Sequence, residues 1–124
     1  MDLNALVSIQ RDFDSEHGWV PSSTEGEDIL PFLTRDLIGL FGEMGEFANA
    51  VKKVQLSDAG EVNAALRLFK PALSEELVDF LIYVIRFAGY LEVDLETEYL
   101  NKLEANKQRF QRFLLVGDKS DEST

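Results

Sequence analysis

Glu43 and Glu46 stand three residues apart in Gly42–Lys53, GEMGEFANAVKK, and Glu76 and Asp79 stand at the same spacing in Glu75–Arg86, EELVDFLIYVIR. At about 100° per residue, a helix over the first stretch gathers Leu40, Met44, Phe47, Ala50, Val51 and Val54 on one apolar arc. Glu43 falls just inside the edge of that arc and Glu46 just outside it, so both border a core rather than bulk water. A lone E-x-x-E on a helix is usually a solvated face. Here an offset of 33 residues aligns Glu43 with Glu76, Glu46 with Asp79, Phe47 with Phe80, Val51 with Val84, Leu40 with Leu73 and Met44 with Leu77. Both helices therefore carry an E-x-x-[ED]-F unit in the same phase against their apolar stripe, and chance seldom fixes both spacing and phase.

If the two stripes pack as antiparallel neighbours, their rims meet and four carboxylates converge on one small volume. Anions that close repel and raise one another's pKa values unless a cation sits among them. Carboxylate oxygens in that number suit Mg²⁺ or Mn²⁺, hard ions that prefer oxygen ligands.

The elements that must position these groups are all helical. Leu3, Leu6, Val7, Ile9 and Phe13 fall within one helical half-circle, which predicts a first amphipathic helix over about 2–15. From His17 to Pro31 the pattern breaks into a loop with two Pro and two Gly. A second helix is expected from Phe32 to Val54 and a short one over Ala59–Phe69. A third main helix begins at Pro71, which suits a first turn, and ends near Leu91. Asp94 caps a last helix from Leu95 to about Leu114. No window alternates as a strand would, so the expected fold is an all-α four-helix bundle with an additional short helix. One domain over 1–115 and a polar tail over 116–124 complete the division.

The chain has 124 residues, and its 12 Lys and Arg against 23 Asp and Glu leave a net charge of −11, which argues against nucleic acid or anionic membrane as partners. With no cysteine, there is no disulfide, thiolate metal site or Cys nucleophile, and a reducing cytosol fits. The N-terminus lacks the basic and apolar blocks of a signal peptide, and no run nears the roughly 20 apolar residues of a membrane span. A cytoplasmic protein is the plain reading. A chain this short is small for an enzyme working alone, so oligomerisation is expected.

Two further groups bear on chemistry. Lys102, Asn106 and Arg109 lie at i, i+4 and i+7 on the last helix, where phosphate oxygens would find a point charge and a fork; the bland alternative is a surface stripe. Lys107 lies on another face. The loop holds the chain's one His and one Trp, His17 and Trp19, whose rings, with Phe13, suit stacking on a base as well as anchoring onto the bundle. Tyr83, one turn after Asp79, lies near the acidic edge of its helix, within reach of a substrate, and joins His17 and Trp19 as a candidate base-contacting residue.

The pattern E-x-x-E, a spacer, then E-x-x-D resembles the all-α nucleoside triphosphate pyrophosphohydrolases, the superfamily of MazG, the dimeric dUTPases and the phosphoribosyl-ATP pyrophosphohydrolases, from about His17 to Arg109. The resemblance implies that Glu43, Glu46, Glu76 and Asp79 bind Mg²⁺, and that the Lys, Asn and Arg of KLEANKQR hold a triphosphate. It also implies base contacts from the segment around His17 and Trp19. The implied reaction is hydrolysis between the α- and β-phosphates of a non-canonical or surplus deoxynucleoside triphosphate, giving a monophosphate and pyrophosphate, by a homodimer or dimer of dimers. Many members carry a Glu where this chain has Gly42, so the general base stays open among Glu43, Glu46 and Glu75. The spacer is also somewhat long for the family. Phosphoribosyl-ATP as substrate, or a non-catalytic acidic helical module that binds a partner protein, are the rival readings.

Overall fold

Apolar stripes repeating at helical spacing build four helices in the computed structural model, which describes residues 1–122, with the side chains of 113 and 115–122 outside that description. They are α1 (Leu3–Glu16), α2 (Gly26–Gln55), α3 (Val62–Tyr90) and α4 (Leu95–Glu122). Among the described residues there is no strand, as the all-α expectation requires.

Helix ends follow local chemistry. Asp2 Oδ1 accepts from the Ala5 N–H at 2.9 Å, and Asp94 Oδ1 accepts from the Thr97 N–H at 3.2 Å, the cap expected for the last helix. α1 closes through a Trp19 N–H to Asp14 carbonyl bond of 2.8 Å with Gly18 at φ 70°. α3 closes the same way, Val93 N–H to Ala88 carbonyl at 2.8 Å, but the left-handed position is held by Glu92 at φ 56°. Glycine is the residue this position favours.

Both prolines expected to bound helices lie inside them instead. α2 starts at Gly26, not Phe32, with Pro31 in its second turn, so the loop shrinks to residues 17–25. The separate short helix over Ala59–Phe69 does not form; that segment is the first part of a continuous α3 that passes through Pro71. A proline removes one i→i−4 bond, but its fixed φ is helical. Ala64, Ala65, Leu66 and Leu68 before it and Ala72, Leu73, Glu75 and Glu76 after it are good helix formers and keep the helix on both sides. Residues 56–61 alone connect α2 to α3. α4 continues to Glu122, past the expected end near Leu114. Most of the tail expected over 116–124 lies outside the described side chains, and 123–124 are outside the described residues altogether.

The principal packing joins α2 and α3 as an antiparallel hairpin, while α1 lies against α3 and α4. Phe47 meets Phe80 at 5.5 Å between ring centroids, and Lys53 lies over Phe69 at 5.9 Å. At the far end Tyr90 donates its hydroxyl to Asp36. The buried apolar core is small, with Val54, Ile85, Ala88 and Tyr90 inside. Outside remain Leu37, Ile38, Phe41 and Met44 on α2 and Leu77, Val78, Leu81 and Val84 on α3; Ile38 is 68% and Phe41 64% exposed. Leu6, Ile9 and Phe13 of α1 are exposed as well.

Candidate active site

The antiparallel pairing of α2 and α3 brings the two acidic rims together. Glu43, Glu46 and Glu76 each place a carboxylate oxygen within 4.8 Å of the other two. Glu43 and Glu76 are half-buried and Glu46 is exposed. Asp79 lies outside this trio. It is half-buried one turn along α3, in a shallow depression with Ser74, Glu75 and Val78. Of the four carboxylates expected to converge, three do so here, and the fourth, Asp79, lies one turn from Glu76 along α3.

Glu76 carries the electrostatic cost. Its Oε2 is buried with no hydrogen-bond donor directed at it. Its pKa is pushed up to about 8, first by the proton it would share with Glu43, then by burial, then by Glu46. An acceptor sealed from water and faced only by other acceptors is costly unless a proton or a cation fills the gap. Three convergent carboxylate oxygens are the donor set a hard divalent cation takes, so these residues fit one. Nothing in the set favours a thiolate- or imidazole-seeking metal.

One turn beyond the carboxylates the groove changes character. Gly39 precedes Glu43 by a turn of α2, and Tyr83 follows Asp79 by a turn of α3. A β-carbon at Gly39 would overlap the Tyr83 hydroxyl and come 2.9 Å from its Cζ. Glycine there lets the tyrosine ring lie across the groove. The Tyr83 pKa is raised, by burial first and then by Glu43 and Asp36. Past it opens a cavity of about 430 Å³ whose wall includes Trp19, Asp36, Gly39, Tyr83 and Arg86. A second cavity, about 380 Å³, lies on the other side of Trp19 and Arg86, against Val20, Pro21, Ile29 and Ile85.

The expected base-contacting residues divide. Trp19 and Tyr83 reach this cavity. His17 caps α1, its Nδ1 2.7 Å from the Phe13 carbonyl, and stacks between Phe13 (4.3 Å) and Trp19 (4.8 Å). It supports Trp19 and does not line the cavity. Lys102, Asn106 and Arg109 are not brought to the carboxylates within one chain, because α4 packs chiefly on α1. Glu75 is exposed at the edge of the Asp79 depression.

Sequence reasoning missed a second layer. Asp14, 4% exposed, accepts two bonds of 3.0 Å from Arg86 Nε and Nη2 and one of 3.0 Å from Gln10. The Arg86 pKa is raised, by that bonding to Asp14 above all. Asp36, 3% exposed, is bonded by Tyr90 and by Arg35 Nε at 3.3 Å. The Tyr90 pKa is raised by burial and by Asp36. Asp14 was detectable: two turns after Val7 and one after Gln10, it sits on the inward stripe of α1, where a charge has to find a partner.

The chain is similar to several known proteins. It is 38% identical over 85 residues to the gene 37 protein of Mycobacterium phage L5, covering 66% of this chain and 72% of that protein. It is a homologue, at modest identity, of dCTP pyrophosphatase 1: 35% over 74 residues for the Rattus norvegicus and Homo sapiens proteins, 60% of this chain. The matched segment spans 43% of those mammalian proteins, less than half their length. No protein-family model and no solved structure matches this chain. Among the described residues no helix is long and apolar enough to cross a membrane.

Proposed function

We propose that this chain, which belongs to the family of the gene 37 protein of Mycobacterium phage L5, is a MazG-like, Mg²⁺-dependent nucleotide pyrophosphohydrolase. It would cleave a deoxynucleoside triphosphate to the monophosphate and pyrophosphate, in control or cleaning of the nucleotide pool. The observation that carries this reading is the convergence of Glu43, Glu46 and Glu76 around an unpartnered buried oxygen. The similarity to dCTP pyrophosphatase 1 supports the reaction class.

Glu43, Glu46 and Glu76 would hold the cation, with Asp79 at their border as the fourth ligand. A bound Mg²⁺ supplies charge neutralisation for the phosphates and lowers the pKa of a coordinated water. The chain's own residues do the rest. Glu46, the exposed member of the trio, is the carboxylate freest to accept a proton from the attacking water, with Glu43 and Glu75 as the other candidates. Tyr83 and Trp19 offer ring faces to the base in the neighbouring cavity. Lys102, Asn106 and Arg109 bind phosphate only if a second copy presents its α4 to the groove. The exposed apolar faces of α2 and α3 support a homodimer or dimer of dimers as the form in which the site would work.

The deciding experiment is pyrophosphate release from common and damaged deoxynucleoside triphosphates, with Mg²⁺ and with EDTA, comparing wild type with Glu46→Gln and Asp79→Asn. Metal-dependent release that either substitution abolishes supports the reading. A folded wild-type protein silent on the whole panel, and on phosphoribosyl-ATP, overturns it in favour of a protein-binding helical module.

A further inference from the structure

Arg86 is the point at which α1, the 17–25 loop and α3 meet. Its Nε and Nη2 form a fork on Asp14, each bond 3.0 Å, which commits one edge of the guanidinium. The opposite edge, at Nη1, faces away from Asp14 and makes no other hydrogen bond among the described residues. The guanidinium carbon lies 5.8 Å from the Trp19 ring centroid and 5.8 Å from that of Tyr83. An arginine fixed by a buried carboxylate therefore presents its free donors beside two aromatic rings.

Position along the groove says what those donors meet. Glu76, Asp79, Tyr83 and Arg86 lie at i, i+3, i+7 and i+10, on one face of α3, and span about 15 Å at 1.5 Å per residue. That is the scale of a nucleoside triphosphate laid lengthwise, with its phosphates at the carboxylates. Two cations line this end, Arg86 and the more exposed Arg35, but each already faces a buried carboxylate, Arg86 on Asp14 at 3.0 Å and Arg35 on Asp36 at 3.3 Å, so little net positive charge is left for a phosphate. The Arg86 end suits a flat, neutral group with an acceptor on its rim.

We propose that Arg86 is a specificity-determining residue: its free N–H edge donates to a ring carbonyl oxygen of a nucleobase lodged beside Trp19 and Tyr83. This rests on the reading of the chain as a nucleotide pyrophosphohydrolase and adds the substrate class. Cytosine, thymine, uracil and guanine carry such a carbonyl, and adenine does not. Rejection of adenine follows because it would leave the desolvated guanidinium edge unpaired.

The test is kcat/KM of wild type and Arg86→Lys on dCTP, dTTP, dGTP and dATP. Lysine keeps the charge facing Asp14 but loses the fork and the free edge. Expected is a wild-type preference for the three carbonyl-bearing substrates and, in Arg86→Lys, a fall of about 10- to 100-fold on them, mainly in KM, with dATP changed by less than about 3-fold. The paired Asp14→Leu/Arg86→Met variant, which leaves no lone buried charge, should lose the preference equally. An equal fall on all four substrates, or a wild type that turns over dATP as well as dCTP, overturns the proposal. Trp19, as the chain's one tryptophan, adds a readout independent of turnover. Its fluorescence should change on titration with dCMP in wild type, and far less with dAMP or in Arg86→Lys; equal responses to both nucleotides overturn the assignment. A wild type that releases no pyrophosphate but still shows the dCMP response would sink the enzymatic reading and leave the base-reading role standing.

Discussion

Tyr83 on α3 occupies the space that a β-carbon on Gly39 of α2 would need, so the ring crosses the groove only because residue 39 has no side chain. This contact separates the carboxylates from the cavity behind Trp19.

Gly39→Ala should force the Tyr83 ring out of the groove. Overpacking of this kind costs about 1–3 kcal/mol, read as a lower midpoint in urea unfolding, and pyrophosphate release should fall with KM rising more than kcat. Adding Tyr83→Phe removes the atom that overlaps most and should restore part of the stability. No difference between Gly39→Ala and wild type in either assay would count against the contact.

Stability should fall as pH rises in metal-free protein. Glu76 keeps its proton in the folded chain up to about 8, against about 4.5 when unperturbed. Between those values the folded state binds more protons than the unfolded one, so this group's contribution is full below the lower value and lost by the upper. Melting temperatures in EDTA at pH about 5 and about 9 should drop more steeply for wild type than for Glu76→Gln, which needs no proton. Mg²⁺ at the higher pH should raise the wild-type midpoint and leave Glu76→Gln nearly unmoved. Parallel slopes for the two proteins would refute the assignment.

Glu92 holds a left-handed conformation at the end of α3, where α1 uses Gly18 for the same turn. Glu92→Gly should stabilise the protein by about 1 kcal/mol and Gly18→Ala destabilise it by a similar amount, visible as opposite shifts in thermal midpoint. Shifts of the same sign would contradict the shared geometry.

The exposed apolar face of α2 should be an assembly surface. Phe41→Glu places a charge on it without touching the carboxylates, so light scattering should show a smaller species than wild type. An unchanged mass would remove this face from the assembly.

What the sequence made legible was whatever repeats locally. The two E-x-x-[ED]-F units announced the antiparallel rims because their phase against the apolar stripe is a property of each helix alone. Pro31 and Pro71 misled because their ring geometry suits a helix start and tells nothing of how strongly the preceding residues favour helix. The Asp14–Arg86 and Asp36–Tyr90 pairs join residues 72 and 54 positions apart, and no local period records such a partnership. Lys102, Asn106 and Arg109 are spaced as expected, yet spacing on one helix does not say which neighbour the helix chooses.

The order of assembly follows from the α2–α3 hairpin. Its two long helices are joined by the short 56–61 connection, so most of the packing forms between segments already close along the chain, a topology that folds quickly. Asp14 and Arg86 stand 72 positions apart, so their pairing closes a longer loop and should form after the hairpin. The 17–25 loop, and with it Trp19, should then settle last. The cavity wall it forms should also be the first part to open, with amide exchange there outrunning exchange at Phe47 and Phe80.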